Sequence, residues 1–138
     1  MDKKIEFLVV DDDEIFTYLI KSVLEKSGIA GDVHIFSSTP ETLSWIHGRV
    51  DRKEALPGLM ILDIRMPVMS GIELLEKISK LPAESLKGVR VCMLTSSLTE
   101  SDKKASMAYP FVFDYLSKPF SREKLSQLVE KYHELEKA

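Results

Sequence analysis

Five polar residues stand where apolar runs stop, and together their types suit one chemistry. Asp11 and Asp12 follow Phe7-Leu8-Val9-Val10, and Asp63 follows Leu59-Met60-Ile61-Leu62. Thr95 closes Val91-Cys92-Met93-Leu94, and Lys118 follows the run from Phe111 to Leu116. Three carboxylates gathered in one crevice repel one another unless a cation lies among them. All-oxygen ligands suit a hard divalent ion, Mg²⁺ or Mn²⁺. With such an ion and the Lys118 ammonium the pocket is neutral in sum, and the ammonium and the Thr95 hydroxyl can receive a phosphoryl group. A carboxylate can itself accept that group as an aspartyl phosphate. A cation bridging a carboxylate and a phosphoryl oxygen supplies the positioning and charge neutralisation of phosphoryl transfer. Singly, each residue has a plain explanation as a turn, cap or loop residue. Their shared place at strand ends makes them a set.

The elements that position them alternate. Ile5 to Val10, Val33 to Phe36, Leu59 to Leu62, Val89 to Leu94 and Phe111 to Leu116 read as short buried strands. Between them lie helical patterns. Ile15, Tyr18, Leu19, Ser22 and Val23 mark a first helix ending at Gly28. Thr39-Pro40 reads as an N-cap with proline in the first helical position, and Leu43, Ile46 and Val50 as the second helix's inner face. Ser70-Gly71-Ile72-Glu73 has the form of a capping box opening a third helix. Thr99 to Ala108 reads as a weakly amphipathic fourth helix, and Ser121 caps a last one carrying Leu125, Leu128, Val129, Tyr132 and Leu135. The charged connection from Gly48 to Pro57 reads as a helix extension or exposed loop. Strands apolar on both faces, separated by helices, imply a parallel sheet covered on both sides. The expected fold is α/β, a flavodoxin-like (βα)5 three-layer sandwich with strand order 2-1-3-4-5. Two helices lie on one face and three on the other. In that order the crevice where ligands bind falls between strands one and three, which brings Asp11, Asp12 and Asp63 together.

The chain of 138 residues is one domain's worth, with 44% hydrophobic and 30% charged residues. Its net charge of −3 argues against a nucleic-acid-binding domain, which carries a basic stripe. Cys92 is the only cysteine, so no intrachain disulfide forms, and a cytoplasmic setting fits. No run approaches the ~18 apolar residues of a membrane span, and the N-terminus lacks the apolar core of a signal peptide. A single domain over 1–138 is expected, with output through a partner protein. His34, His47 and His133 point to no shared site, and Trp45 packs on the second helix or lies at its edge. Cys92, Met60, Met66 and Met93 read as core or site-wall residues. The charges from Arg49 to Glu54 read as a solvated face.

With these motifs in order, the sequence resembles a response-regulator receiver domain, of the stand-alone, chemotaxis-regulator-like kind, from about Lys4 to Lys137. The resemblance rests on Phe7-Leu8-Val9-Val10-Asp11-Asp12, Leu62-Asp63-Ile64-Arg65-Met66-Pro67 with Ser70-Gly71, Leu94-Thr95-Ser96, and Tyr115-Leu116-Ser117-Lys118-Pro119-Phe120. It implies a switch of two-component signalling or a phosphorelay. Asp63 is then the phosphorylated residue, and Asp11, Asp12, Asp63 and the backbone carbonyl of Arg65 hold Mg²⁺. Thr95 and Lys118 meet the phosphoryl group, and Tyr115 is the aromatic switch that turns inward as Thr95 moves. The Lys118-Pro119 bond is cis, a form nearly confined to X-Pro. The implied donor is a histidine kinase or histidine phosphotransfer protein. The fourth helix, with Asp102, Lys103 and Lys104 exposed, suits a signalling surface built with strand five and the last helix, and equally reads as a solvated surface helix. The chain is then no enzyme beyond its own phosphoryl transfer and dephosphorylation, and a monomer or a phosphorylation-dependent dimer.

The pattern departs from the family in places. Ala108-Tyr109-Pro110-Phe111 lacks the usual glycine before the last strand. Arg65 and Ser97 occupy variable positions that influence dephosphorylation. Asp13 extends the acidic pair and reads as the cap of the first helix. Two other classes stay open at this level. One is a Mg²⁺-dependent phosphohydrolase similar to the haloacid dehalogenase superfamily, with Asp11 as nucleophile and Asp13 as acid/base. The other is a receiver fold used for phosphorylation-independent docking.

Overall fold

The computed structural model describes residues 4–137. Five strands and six helices follow in the order β1 (Ile5–Val10), α1 (Glu14–Ser27), β2 (Ala30–Phe36), α2 (Thr39–Asp51), β3 (Leu59–Asp63), α3 (Gly71–Ser79), α4 (Ala83–Leu86), β4 (Arg90–Thr95), α5 (Glu100–Met107), β5 (Val112–Ser117) and α6 (Arg122–Lys137). The strands pair in parallel in the order β2-β1-β3-β4-β5, the expected topology.

Side chains alternate across a strand, and each strand feeds two cores. Leu8, Val10, Met60, Leu62, Val91 and Met93 face one layer, where Ile46 of α2 and Leu74, Leu75 and Ile78 of α3 close over them. Phe7, Val9, Leu59, Ile61, Cys92 and Leu94 face the other, under Ile20 and Leu24 of α1 and Leu125, Leu128 and Val129 of α6. α1 and α6 therefore cover one face; α2 and α3 cover the other. Met60, Met66 and Met93 are core residues. Burying each large side chain stabilises by roughly 1.5–3 kcal/mol, and every residue of β3 is buried. The central strand that carries Asp63 is thus held on all sides.

Local signals explain most boundaries. Asp13 accepts from the N–H groups of Ile15 and Phe16 and starts α1, and Gly28, at φ 78°, ends it. Ser70 and Glu73 form a reciprocal capping box. Ser121 Oγ accepts from the Lys124 N–H at the start of α6. Four expectations need correction. The cap of α2 is Ser38, whose hydroxyl accepts from Glu41 N–H. Thr39 is instead buried, and its hydroxyl donates to the Met69 carbonyl at 2.6 Å, so it ties α2 to the loop after β3. β2 starts at Ala30, three residues earlier than the apolar run, because Ala30 already pairs with Ile5 of β1; Gly31 and Asp32 fall where the register shifts before Val33 pairs with Phe7. The short helix α4 has no amphipathic pattern to announce it. Finally, Arg49 is not a solvated charge. It reaches across to Glu6 of β1, with Nη2 2.9 Å from Oε2, and its guanidinium lies 4.5 Å from the Trp45 ring centre. His34 meets the same carboxylate at 2.7 Å.

Candidate functional site

The carboxyl ends of β1 and β3 lie side by side, since Val10 pairs with Leu62. The next residue on each chain is an aspartate, so the parallel register alone makes Asp11 and Asp63 neighbours. Asp12 joins them, and one carboxylate oxygen from each of Asp11, Asp12 and Asp63 lies within 4.8 Å of the other two. Asp11 and Asp63 are buried and Asp12 is exposed. β5 delivers the fourth member. Lys118 Nζ sits 2.6 Å from Asp11 Oδ2 and 3.5 Å from Asp63 Oδ2. Its ammonium also lies over the Phe16 ring, 4.5 Å from the ring centre. The Lys118-Pro119 peptide is cis. Lys124 of α6 holds the same loop, donating from Nζ to the Ser117 and Pro119 carbonyls at 2.5 and 2.9 Å; no sequence motif flagged this residue.

The electrostatics follow from this crowding. Burial raises the Asp63 carboxyl, the Asp11 charge raises it further, and Lys118 with the Arg65 N–H offsets only part, leaving it at about 6. For Lys118, burial works against the charge. The hydrogen bond and charge of Asp11, with Asp63 behind, outweigh it and hold the ammonium above its usual value. The donor set fits a hard divalent cation. It is all oxygen, one atom from each of Asp11, Asp12 and Asp63 lies within reach of a single ion, and the fully buried Asp11 Oδ2 is met only by the Lys118 ammonium.

Thr95 is fully buried at the end of β4. Its hydroxyl is taken up by its own turn, donating to the Ser97 carbonyl at 3.3 Å and accepting from the Ser97 N–H at 3.2 Å. Its carbonyl accepts from the Lys118 N–H at 2.9 Å. The threonine and the lysine are thereby linked through the backbone. The Tyr115 hydroxyl is already buried, beside the Thr99 backbone and without a hydrogen bond of good geometry. The Arg65 side chain is largely exposed and pairs with Asp102 of α5 at 2.6 Å. Asp102 is therefore not the free surface acid of the sequence reading; its side chain is only 17% exposed. Asp13 Oδ1 caps α1 at 3.0 and 3.1 Å, so the carboxylate a D-x-D phosphohydrolase uses as acid/base is engaged by the helix.

Gly71 is required by close approach. A Cβ at this position would collide with the Asp63 carbonyl oxygen, while its N–H donates to the Ile64 carbonyl at 2.9 Å. The start of α3 is thus pressed against the residue that carries the buried carboxylate. A groove of about 700 Å³ between α1 and α6, lined by Lys26, Ile29, Arg122, Leu125, Val129 and His133 among others, contains none of these residues.

Comparison with known proteins agrees with this fold. Residues 7–130 match the model of the response regulator receiver domain. An uncharacterised 14.6 kDa protein of Leptolyngbya boryana is 33% identical over 130 residues, covering 94% of this chain and 90% of that protein. The phosphate regulon transcriptional regulatory protein PhoB of Rhizobium meliloti is 32% identical over 117 residues, covering 85% of this chain and 47% of that protein. Among solved structures, a CheY-like receiver domain protein from Methanospirillum hungatei superposes with a TM-score of 0.78 at 31% identity, covering 99% of this chain and 98% of the other. A two-component response regulator from Cytophaga hutchinsonii gives a TM-score of 0.84 at 25% identity, covering 96% and 99%.

Proposed function

Because the chain belongs to the response regulator receiver family, whose members are signalling switches of two-component systems, we propose that Asp63 is its phospho-acceptor and that a phosphoryl group there changes the α5-β5-α6 surface. The observation that carries this reading is the convergence of Asp11, Asp12, Asp63 and Lys118 at one edge of the sheet. A Mg²⁺ ion held by the three carboxylates and the Arg65 carbonyl would neutralise charge on the incoming phosphoryl oxygens. Asp63, ionised above about pH 6, attacks phosphorus. An O–P bond forms, the donor's N–P bond breaks, and the imidazole leaves with the electron pair. Lys118 releases its hold on the carboxylates in favour of the phosphoryl oxygens. Thr95 exchanges its weak turn contacts for a phosphoryl oxygen, and Tyr115, three residues from Lys118 on the same chain, responds.

The donor on this reading is a phosphohistidine protein, a histidine kinase or phosphotransfer domain. Receiver relatives include a hybrid signal transduction histidine kinase of Dictyostelium discoideum, 27% identical over 122 residues. The mouth of the site supports a protein donor. Of the six large apolar residues exposed in the described chain, Ile15, Tyr18, Leu19, Val68 and Leu98 lie on segments that follow β1, β3 and β4 at the carboxylate edge. Incubation with acetyl phosphate and Mg²⁺ followed by intact mass measurement tests the chemistry. One phosphoryl increment, absent without Mg²⁺ and absent in Asp63→Ala, is expected. No adduct, or one that survives Asp63→Ala, refutes it.

A further inference from the structure

Arg65 is placed to serve two anions. Its Nη2 donates to Asp102 Oδ2 at 2.6 Å, which joins the loop after β3 to the first turn of α5. The Asp102 N–H is held in turn by the Thr99 cap at 3.2 Å, so a pull on this carboxylate acts on the helix start. The Tyr115 hydroxyl is buried close to the same turn. The arginine side chain is 60% exposed and the aspartate 17%, which makes Arg65 the partner free to move.

The charge around Asp63 gives it a reason to move. Three carboxylates, Lys118 and a divalent cation are neutral in sum. A phosphoaspartate carries about −2 in place of −1, which leaves the pocket one charge negative. Lys118 is already shared between Asp11 and Asp63. Arg65 stands two residues from Asp63, and a guanidinium binds phosphoryl oxygens through paired donors. Resting on the phosphorylation reading above, we propose that Arg65 is a phosphoryl-binding residue held in reserve by Asp102. Its guanidinium exchanges Asp102 for the phosphoryl oxygens on Asp63, and the exchange frees the start of α5. A phosphoryl group shifts a population only through such differential interaction.

Beryllofluoride with Mg²⁺ mimics the phosphoryl group and tests this in the full chain. Asp102→Asn removes the competing anion, so loading is expected at about three- to fivefold lower beryllofluoride concentration, the effect of a partly exposed ion pair. Arg65→Gln is expected to weaken loading, and adding Asp102→Asn to it is expected to change nothing further. Hydrogen exchange gives a second readout. The α5 amides are expected to exchange faster on loading of the wild type, and to be fast already in unloaded Asp102→Asn and Arg65→Gln, with melting curves verifying that each variant is folded. Unchanged loading in Asp102→Asn, an equal gain in the Arg65→Gln background, or α5 protection indifferent to loading and to both substitutions overturns the exchange. If the wild type itself takes up no beryllofluoride, the phosphorylation reading falls and this proposal falls with it.

Discussion

Replacing Asp63 by asparagine should make the metal-free protein more stable, although it removes the proposed acceptor. The carboxyl rises from an ordinary 3.8 to about 6 in the folded chain, a rise of about two pH units. At about 1.4 kcal/mol per unit this amounts to a native-state penalty near 3 kcal/mol. A raised folded value means that stability is fully present below the unfolded value near 3.8 and is lost as pH rises through about 6. Asparagine has no charge to bury, so its advantage should be absent near pH 3.5, grow through pH 4 to 6, and level off above. Since the amide faces Lys118 where a carboxylate did, we expect about 1–3 kcal/mol at pH 7.5. Urea unfolding in EDTA at several pH values measures it. Adding Mg²⁺ should stabilise the wild type more than the variant, because binding to the folded state alone adds stability by mass action. Equal stability of the two proteins in EDTA at pH 7.5, or equal stabilisation by Mg²⁺, would refute the reasoning.

Other expectations follow from single contacts. Gly71→Ala forces a Cβ onto the Asp63 carbonyl and should cost about 1–3 kcal/mol or more, with the loss read by unfolding and accompanied by impaired phosphoryl uptake; a wild-type melting temperature would count against it. Thr39→Val deletes the buried bond to the Met69 carbonyl and should cost about 1–2 kcal/mol, since that acceptor is left unpaired. For Glu6, burial raises the carboxyl, but the Arg49 and His34 hydrogen bonds more than offset it and hold it below its usual 4.5. Its contribution is therefore present above 4.5 and lost as pH falls through the lower folded value. Glu6→Gln should be less stable than wild type at pH 7, with the gap closing in acid; a gap that is constant with pH would remove the pair from the account.

Much of this was legible beforehand because parallel strands turn sequence position into spatial position. Once β1 and β3 are neighbours in register, an aspartate following each apolar run must meet the other, and Asp11 and Asp63 do. Lys118 could be placed the same way, from the end of β5. What escaped were partnerships across elements. Nothing in the spacing of Arg65 and Asp102 predicts a contact 37 residues apart, and Arg49 looked like one charge in a solvated run until β1 supplied Glu6. Ser38 and Thr39 are equally good caps in isolation, and only the Met69 carbonyl, which takes the Thr39 hydroxyl, decides between them. The start of β2 is hidden for a related reason: Gly31 and Asp32 carry no strand signal, and only the pairing of Ala30 with Ile5 across the register shift extends the strand past them.

The central claim is that one carboxylate of the acidic cluster, Asp63, forms the acyl phosphate. Borohydride reduces an aspartyl phosphate to homoserine and so marks the residue that carried it. After treatment with acetyl phosphate and Mg²⁺, reduction and peptide mass mapping, the account predicts the mark on Asp63 and none on Asp11, Asp12 or Asp13. A mark on Asp11, or none anywhere, would contradict it.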